Sequence, residues 1–535
     1  MRRRFGAHLA RPSRRASLAF AAAALATLGA CNDKEFLTEV PYDFVGPTNF
    51  YRTAGDALAA LNGAYASLEN SATGGSDNYY GRNLVMLVEY PAEALTTRLS
   101  ATNERTLTDV YTYTPGHAYI YSVWQGAYGA INRANAVIDR VPAIDMDPTL
   151  RGRIVAEAKF LRALHYFNLV RLFGGVPIFT KETTALVDIQ VERATAAAVY
   201  DLVVKDLQDA IPVLPSSKAY ATSDFGRASR GAAKTLLAKA YLQRAATGVG
   251  PAADYQLALD IARGVVTDAD YALVPNPGTL YDLVDGLLNE RNTEVIFDIQ
   301  NIRQTGAGGR LGAHFNPTNA NWGVSQNASF EAEQPFYDSF SDTDKRKAVT
   351  FVLSYPHKNG STATWTTTTT ASMPYGGDTP FIKKFIDPTQ VTQGQEEPNY
   401  IILRYADLLL TLAEAANEVG GPTAEAYGAI NQVRTRAGIP TLTAGLSKQL
   451  FKDSLFVERR KELVTEGPNA FFDAQRHWDW AKARVAANMA LGKAGSFRTS
   501  KYPKAETVIT DKFKLMPIPQ RAIDLNPKLT QNPQW

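Results

Sequence analysis

Hydrophobic residues recur at three- and four-residue intervals along much of this chain, which is the spacing of one face of an α-helix. The pattern predicts helices over residues 54–68, 120–140, 151–173, 195–211, 227–246, 252–267, 401–419, 423–437 and 447–466. Glycine or proline separates many of these stretches, and such breaks favour paired antiparallel helices. Two predicted pairs, 227–246 with 252–267 and 401–419 with 423–437, carry alanine and tyrosine at packing positions, loosely like tetratricopeptide repeats of about 34 residues. We therefore predict a mainly α fold.

Residues 271–395 differ in character from the helical stretches. Glycine, asparagine, threonine and aromatic residues dominate there, and an alternating run at Glu294–Ile299 predicts one strand. The threonine run at residues 366–370 predicts an exposed stretch that is β-prone or flexible. Binding residues tend to lie in loops on a rigid scaffold, so this region is the first place to expect a ligand site.

The first thirty residues have the layout of a secretory signal peptide. Six arginines and no acidic residue precede an apolar run, Leu18–Ala30, which is shorter than the roughly 20 residues that a membrane-spanning helix needs. Small residues lead into Cys31, as a bacterial lipoprotein peptidase requires. Cys31 is the only cysteine, so it cannot form an internal disulfide and is expected to carry the lipid. The alternative is an ordinary signal peptide with an incidental cysteine.

Charge and composition argue against two classes of function. The net charge of +3 includes the six leader arginines, and removing them leaves about −3 for the mature chain. A chain so nearly neutral lacks the basic patch that nucleic acid binding requires. Six histidines and one cysteine, with no close histidine pair, argue against a transition-metal site.

Residues 157–171 are apolar over most of a helical circumference and are followed by Gly174 and Gly175, which predicts a buried helix with a glycine cap. This segment closely resembles the hallmark helix of the RagB/SusD family, the outer-membrane nutrient-binding lipoproteins of Bacteroidota. Further blocks resemble the family in the same order: Phe36-Leu37 with Pro41, Trp124 to Asn135, Arg404 to Asn417, Glu458 to Leu463, Pro517 to Gln520, Asn526-Pro527 and Gln531 to Pro533.

One block departs from the family pattern. After Glu466-Gly467 the family usually places an arginine two residues on, where this chain has Asn469 and one extra residue before Asp473. We expect that corner to be built differently. The next helix of the family pattern, with Asp473 and Arg476, is expected to be present in this chain.

The resemblance implies a mainly α, SusD-like fold with about four tetratricopeptide-like helix pairs and a loop-rich subregion with minor β structure. It also implies a lipid-anchored protein exposed on the outer membrane, which captures a glycan or other nutrient and delivers it to a TonB-dependent, SusC-like channel. No catalysis and no cofactor are expected, and calcium binding is left open. The implied organisation is a leader (1–30), a lipid anchor and tether (31–50), an N-terminal helical part (51–270), a loop-rich, ligand-facing region (271–395) and a C-terminal helical region with a tail (396–535).

Three glutamates raise the alternative of a glycoside hydrolase. Glu458, Glu462 and Glu466 are spaced at four-residue intervals, so we expect them on one helix face, where the basic run 459–461 supplies opposite charge. That arrangement favours a structural ion-pair network over an acid and base pair. Neither a Gly-x-Ser-x-Gly motif nor a phosphate-binding loop occurs in the sequence.

A glycan site combines aromatic rings, which pack on the flat faces of sugars, with side chains that bind hydroxyl groups. Two loop-like stretches, residues 77–103 and 314–322, have that mixture. The predicted ligand contacts within them are Tyr79, Tyr80, Arg82, Arg98, Asn103, His314 and Trp322. For each of these residues the alternative is ordinary packing. Trp124 is expected in the core, and Trp478 and Trp480 are expected against the C-terminal tail.

The leading hypothesis is a cell-surface glycan-binding lipoprotein that delivers its ligand to a SusC-like channel. The alternatives are an exported glycoside hydrolase and a helical-repeat adaptor that binds protein alone. An adaptor would tolerate replacement of Trp322 or Tyr79 by alanine, whereas a hydrolase would release reducing ends from a polysaccharide.

We expect Cys31→Ala to abolish membrane retention and to leave the fold and the ligand affinity intact. The predicted anchor is a set of acyl chains on this residue, and each buried CH₂ contributes about 0.8 kcal/mol to membrane binding. Fractionation of cells that express the variant checks this. Retention of Cys31→Ala at the level of the parent protein would contradict the prediction.

Overall fold

The computed structural model describes residues 50–68, 79–97, 103–187, 189–281, 283–284, 287–288, 292–303, 308–317, 320–322, 327–364, 380–392, 395–490 and 509–535. The chain divides into two compact units, residues 1–52 and Thr53–Trp535. The first unit is described only at residues 50–52, so the predicted leader, Cys31 and the tether lie outside the described residues, as does the threonine run. The second unit carries the fold described below.

Helices dominate the second unit. In chain order they are α1 (Ala54–Tyr65), α2 (Asn83–Glu89), α3 (Glu104–Asp109), α4 (Ala118–Arg140), α5 (Pro148–Phe173), α6 (Ala196–Ala210), α7 (Arg230–Ala246), α8 (Ala253–Asp268), α9 (Leu311–Phe315), α10 (Gln334–Asp338), α11 (Arg346–Thr350), α12 (Tyr405–Gly420), α13 (Ala424–Ala437), α14 (Lys448–Leu463), α15 (Ala470–Arg476), α16 (Trp478–Ala490) and α17 (Gln520–Leu525). Within the described ranges, none of them combines the length and the apolar character needed to cross a membrane.

The strands are short and fewer. They are β1 (Leu95–Thr96), β2 (Leu283–Val284), β3 (Leu287–Leu288), β4 (Val295–Ile299), β5 (Glu331–Ala332), β6 (Phe351–Val352), β7 (Ser354–Pro356), β8 (Thr362–Thr364), β9 (Phe381–Ile382) and β10 (Tyr400–Arg404). The prediction of a mainly α fold with minor β structure is therefore confirmed.

Polar side chains cap several helices at the points where the apolar patterns begin. The side chains of Thr53, Thr195, Ser229 and Ser447 each accept a hydrogen bond from a backbone N–H in the first turn. Each cap satisfies a donor that has no partner inside the helix. At the end of α5, Gly174 adopts φ +70°, which is costly for a residue with a β-carbon. The predicted glycine cap is confirmed.

Successive helices pack against their neighbours in the chain. α4 contacts α5, α5 contacts α6, α6 contacts α7 and α7 contacts α8. α8 then packs on α12, which also contacts α13 and α14. Both predicted helix pairs are present, as α7 with α8 and as α12 with α13. α7 also contacts β4 and β10, so these two strands join the loop-rich region to the helical scaffold.

α5 lies at the centre of this scaffold, and every residue of Phe160–Phe173 is buried. Its polar side chains therefore need partners inside the protein. Arg162 donates from Nε and Nη2 to the two carboxylate oxygens of Asp206 at 2.8 and 2.7 Å. The guanidinium of Arg171 lies 3.8 Å from the centroid of the Phe472 ring and 3.7 Å from that of a phenylalanine ring of α5. Two aromatic faces thus stabilise a buried cation.

The strands form small antiparallel sheets. One sheet has the order β1-β5-β9-β6, and the other pairs are β10 with β4, β2 with β3 and β7 with β8. β4 confirms the strand predicted at Glu294–Ile299. The predicted helix 401–419 is wrong at its start, because Tyr400–Arg404 is extended and pairs with β4. Ile401 and Ile402 are β-branched and buried, which suits a strand, and the helix begins only at Tyr405.

Charged side chains form a buried ion-pair network that joins the C-terminal helices to the loop-rich region. Its carboxylates are Glu294, Asp344, Glu458, Glu462 and Glu466, and its cations are Arg346, Lys384, Arg404, Arg434 and Arg436. Arg404, at the end of β10, binds Glu294 and Glu462 at 2.7 and 2.6 Å. Because five carboxylates face five cations, the network is balanced, and it avoids the cost of an uncompensated buried charge.

Glu458, Glu462 and Glu466 form ion pairs, which supports the predicted structural role. Their expected arrangement on one helix face is wrong. Glu466 lies beyond the end of α14, so the three residues do not share one helix face. Their ion-pair partners come from other elements, because the residues of the run 459–461 have partners elsewhere. Arg459 binds Asp407 and Asp473, Arg460 binds Glu93, and Lys461 donates to the carbonyl oxygen of Ser339.

Asn469 has a structural role at the corner that departs from the family pattern. Its Oδ1 accepts a hydrogen bond from Lys239 Nζ at 2.8 Å, and its Nδ2 donates to the carbonyl oxygen of Glu466 at 3.0 Å. α15 follows at the next residue, with Asp473 and Arg476 paired at 2.9 Å. The expectation that this helix is present is confirmed.

Removal of one carboxylate from the buried ion-pair network is expected to destabilise the fold strongly. Burial alone would raise the pKa of Glu462, but the charges of Arg436, Arg404 and Arg346 outweigh it and hold that pKa well below its usual range. We expect Glu462→Gln to lower the free energy of unfolding by about 3–5 kcal/mol, because it leaves buried guanidinium groups undercompensated. Urea unfolding followed by circular dichroism measures this.

The matched control is Glu425→Gln, which removes a more exposed ion pair with Arg263 and is expected to cost no more than about 1 kcal/mol. Because the pKa of Glu462 is depressed in the folded state, its contribution is present above the unfolded value of about 4.3 and is lost as the pH falls through the folded value. Equal losses of stability in the two variants would contradict the importance of the network.

Candidate functional site

The two loop stretches predicted to bind ligand both contact the buried residue Ser329. From residues 77–103, the hydroxyl of Tyr90 donates to the carbonyl oxygen of Ser329 at 2.7 Å. Just beyond that stretch, Arg105 of α3 donates from Nη1 to Ser329 Oγ at 2.5 Å. From the second side, the backbone N–H of Ser329 donates to the carbonyl oxygen of His314 at 2.7 Å, and Ser329 Oγ lies 3.2 Å from His314 Nδ1. Stretches that are some two hundred residues apart in the sequence therefore lie side by side.

The short helix α9 positions the second stretch. The backbone N–H of Gly312 donates to Glu396 Oε2 at 2.6 Å, and a β-carbon on Gly312 would lie 2.2 Å from the carbonyl oxygen of Phe385. Only glycine fits this close approach. After the helix, Asn316 Oδ1 accepts a hydrogen bond from Trp322 Nε1 at 3.0 Å, so the indole ring has a defined orientation.

Trp322 lies beside a cleft of about 530 Å³, and its ring centroid is 5.9 Å from that of Tyr355. The other residues that line the cleft are mostly apolar: Gly278, Tyr281, Ala348, Val349, Phe351, Val352, Leu353, Ser354, Lys383, Ile386 and Pro388. A largely apolar concavity of this size, with a few polar groups, has the character of a small-molecule site.

Tyr281 and Lys383 supply polar groups to the cleft, and sequence reasoning missed both. The hydroxyl of Tyr281 donates to Glu466 of the buried ion-pair network, and its ring meets the ring of Phe385 edge to face at 5.3 Å. Lys383 is exposed, with Nζ 3.4 Å from the carbonyl oxygen of Ala348. Neither residue belongs to a motif, so only the loop-rich character of the region could have pointed to them.

Arg82 and Asn103 come from the first predicted stretch, and both are partly exposed. The guanidinium carbon of Arg82 lies 4.9 Å from the centroid of the Tyr119 ring. Asn103 caps α3, because its Oδ1 accepts a hydrogen bond from the backbone N–H of Arg105 at 3.0 Å. Arg98 lies outside the described residues.

Tyr79 and Tyr80 lie beneath this surface, with only 4% and 1% of their areas exposed. Asn168 of α5 donates from Nδ2 to both hydroxyl oxygens, at 2.9 and 2.6 Å. The Tyr79 hydroxyl is also 3.1 Å from His165 Nδ1. Burial favours the packing alternative for both rings, and their contact with a ligand stays a prediction.

His314 is buried as well. Burial, reinforced by the positive charges of Arg105, Arg82 and Arg310, holds the pKa of His314 well below its usual range. The imidazole is therefore neutral at physiological pH and serves as a hydrogen-bonding partner for Ser329. Across the parts of the chain that the structure describes, no three His, Cys, Asp or Glu side chains are grouped so that they could hold a metal ion.

Comparison with protein families gives two matches that together cover most of the chain. The model described as "SusD family" matches residues 293–535, and the model described as "Starch-binding associating with outer membrane" matches residues 62–242. The chain belongs to the SusD/RagB family.

Relatives resemble this SusD-like chain over most of their own length. SusD-like protein P2 of Formosa agariphila is 27% identical over 471 residues, which is 83% of this chain and 87% of that protein. The crystal structure of a SusD homologue from Bacteroides thetaiotaomicron has a TM-score of 0.78 at 25% identity, over 91% of this chain and 98% of its own. Surface glycan-binding protein A from Bacteroides thetaiotaomicron, solved with laminarihexaose, has a TM-score of 0.71 at 22% identity, over 90% and 99% of the two chains. Because the last of these identities is only 22%, that comparison shows a shared fold and nothing more.

This SusD-like protein has a second concave surface that sequence reasoning did not single out. A groove of about 550 Å³ lies along α4, between residues 177–190 and α17, and no charged side chain is among its described lining residues. Trp124 contributes to its wall and is only 8% exposed, which confirms the expected core position. Trp478 donates from Nε1 to Asp511 Oδ1 at 2.9 Å, which confirms its predicted contact with the C-terminal tail. The ring of Trp480 stacks instead on that of His477, with the centroids 5.3 Å apart.

Proposed function

We propose that this SusD-like protein binds a glycan at the surface around Trp322. The observation that carries the proposal is the cleft of about 530 Å³ that Trp322 and Tyr281 line. Trp322 belongs to the second loop stretch, residues 314–322, which contacts the buried Ser329 through His314. The surface and the cleft together have the size and chemistry that a sugar ligand requires.

The geometry of Trp322 suits stacking on a sugar ring. Its Nε1 already donates to Asn316, so the polar edge of the indole is satisfied and the ring has a defined orientation, and indole rings pack well on the C–H groups of sugars. Lys383 and Ser354 lie at the same cleft and can bind hydroxyl groups. This combination supports recognition of a carbohydrate rather than of a purely apolar ligand.

Relatives support the same class of ligand. One matching family is described as starch-binding. A laminarin-binding SusD-like protein has a TM-score of 0.71 at 23% identity, and surface glycan-binding protein A was solved with laminarihexaose. The proposal is of a binding protein and includes no catalytic step, because Glu458, Glu462 and Glu466 are buried and engaged in the ion-pair network.

The proposal extends to the location and the partner. The protein is held at the outer membrane by lipid on Cys31, is exposed on the cell surface, and delivers its glycan to a TonB-dependent, SusC-like channel. The predicted leader and lone cysteine support the anchor, and the description "associating with outer membrane" of one matching family supports the location. Family membership supports the channel as partner.

We expect Trp322→Ala to weaken glycan binding roughly tenfold, because the loss of one stacking contact is worth on the order of 1–1.5 kcal/mol. The measurement is isothermal titration calorimetry against a panel of oligosaccharides. The matched control is Trp480→Ala, which removes the same side chain from α16, where it stacks on His477 at 5.3 Å. The control is expected to retain the affinity of the parent protein.

The same experiment tests the alternatives. If no oligosaccharide binds the parent protein, or if both tryptophan variants bind equally well, the proposed site is wrong. Reducing ends released from a polysaccharide by the purified protein would establish a hydrolase instead. A tight protein partner that is insensitive to Trp322→Ala, with no glycan bound, would establish an adaptor.

For the partner, we expect a tagged form of the lipid-anchored protein to co-purify with a TonB-dependent channel from detergent-solubilised outer membranes. Mass spectrometry of the purified material identifies the channel. Recovery of the protein without any such channel would contradict the proposed delivery step but not the proposed glycan binding.

A further inference from the structure

The groove along α4 has two fixed walls. Asn135 of α4 donates from Nδ2 to the carbonyl oxygen of Phe179 at 3.0 Å, which holds residues 177–183 against the helix. On the other side, Asn526 at the end of α17 donates from Nδ2 to the carbonyl oxygen of Val191 at 2.8 Å. Because its walls are tied in this way, the groove is formed in advance, and a partner loses little free energy in ordering it.

Aliphatic side chains are exposed along this groove. Leu186 and Leu525, which both line it, have 88% and 64% of their areas exposed, and Ile189 of the same lining is exposed as well. Val187, next to Leu186 in the chain, is also exposed. Single exposed apolar residues are ordinary on a protein surface, but several beside one concavity indicate a surface that another molecule covers.

Charge is missing from the described lining of the groove and present at its edges. Lys181, which lies between lining residues in the chain, is exposed. The guanidinium carbon of Arg521 lies 4.8 Å from the ring centroid of Tyr121, which lines the groove. An uncharged centre with a polar, charged rim is the anatomy of a protein–protein interface. A charged group in the centre would lose its solvation without gaining an opposite charge, so the complementary segment is itself uncharged.

The groove suits a polypeptide segment better than a sugar. Trp124 is only 8% exposed, so its ring presents little face for stacking, and the hydroxyl of Tyr128 already donates to the carbonyl oxygen of Pro177 at 2.8 Å. The exposed leucines match apolar side chains rather than sugar hydroxyl groups. Gln125 lines the groove, is exposed, and makes no hydrogen bond to any residue that the structure describes. Its amide can therefore pair with the N–H and C=O groups of a peptide backbone.

The groove and the cleft beside Trp322 share no described lining residue. The cleft belongs to the loop-rich region, whereas the groove is formed by α4, residues 177–190 and α17. Occupation of one therefore uses none of the residues of the other. A protein that hands a ligand to a channel needs such a separation, because it must hold the channel while its ligand site is filled.

We infer that this groove is a docking surface for the outer-membrane channel, and that it receives an uncharged segment of the channel with apolar side chains. The inference rests on the proposed function, which supplies the partner, and it adds the surface at which that partner is held. Leu186 and Leu525 bury their side chains against the segment, while the charged rim stays in water.

A charge placed in the groove tests this in the full-length, lipid-anchored protein. A β-carbon on Gly129, which lines the groove, would meet no atom within 4 Å, so Gly129→Glu introduces a carboxylate without a clash. We expect this variant to recover roughly tenfold less channel, or less still, on co-purification from detergent-solubilised outer membranes. Its glycan affinity is expected to equal that of the parent protein, and its thermal midpoint is not expected to fall, because glycine is a poor helix former.

The matched control is Gly428→Glu on α13. Gly428 is another exposed helical glycine whose β-carbon would meet no atom within 4 Å, and the channel is expected to be retained. A second pair of variants repeats the comparison with leucine. Leu525→Asp is expected to lose the channel, whereas Leu450→Asp, which changes an exposed leucine of α14, is expected to keep it.

Loss of the channel in both groove variants, with the channel kept in both controls and glycan binding kept in all four, supports the inference. Recovery of the channel by folded groove variants at the level of the parent protein overturns the docking surface while the delivery step stands. A parent protein that recovers no channel contradicts the delivery step itself, and the docking surface with it.

Two further outcomes assign the groove to another occupant and also overturn the inference. If the folded groove variants lose glycan affinity, the groove belongs to a glycan site. If they keep the channel but dissociate a dimer of the parent protein in sedimentation velocity, the groove is an interface between copies of this chain. Circular dichroism and thermal unfolding establish that each variant is folded.

Discussion

A buried guanidinium group needs partners that compensate its loss of solvation, and the carboxylates that do so for Arg404, Arg346 and Arg436 join the loop-rich region to the helical scaffold of the SusD-like fold. Arg404 ends β10 and binds Glu294, which precedes β4, and Glu462 of α14. Glu462 in turn binds Arg436 of α13 and Arg346 of α11. A displacement of any one of these elements would separate buried charges, so the network fixes the loop-rich region on the helical scaffold.

The candidate site depends on that arrangement. Glu466 accepts a hydrogen bond from Tyr281, whose ring lines the cleft beside Trp322, and it also binds Lys384 at 2.5 Å. The strands around the cleft are only two or three residues long, so backbone pairing alone gives them little rigidity. Side-chain contacts to the buried ion-pair network supply the rigidity that the short strands lack. In many proteins the binding residues lie in loops, and a rigid scaffold positions those loops.

The sequence predicts best what is local. Apolar periodicity located the long helices, the glycine pair after Phe173 located the end of α5, and alternation located β4. The start of α12 was wrong because Ile401-Ile402-Leu403 is a short apolar run, which periodicity alone cannot assign to a strand or a helix. The partners of Glu462 were wrong because they lie 26 to 116 residues away. Tyr79 was predicted to be a ligand contact for the same reason, since residues that bury it are distant in the sequence, among them His165 of α5, 86 residues later.

Buried arginines are stabilised in this protein in two ways, and the difference lies in their neighbours. Arg404 is bound by carboxylates of the chain itself, whereas the guanidinium of Arg171 lies between two phenylalanine rings and donates to Asn168 Oδ1 at 2.6 Å. Burial lowers the pKa of Arg171 to about 10, because aromatic faces and an amide compensate the loss of solvation less than carboxylates do. Burial would also lower the pKa of Arg404, but the charges of Glu466 and Glu462 outweigh it and raise that pKa well above its usual value. Both side chains are therefore charged at physiological pH, and carboxylates compensate that charge more fully than aromatic rings do.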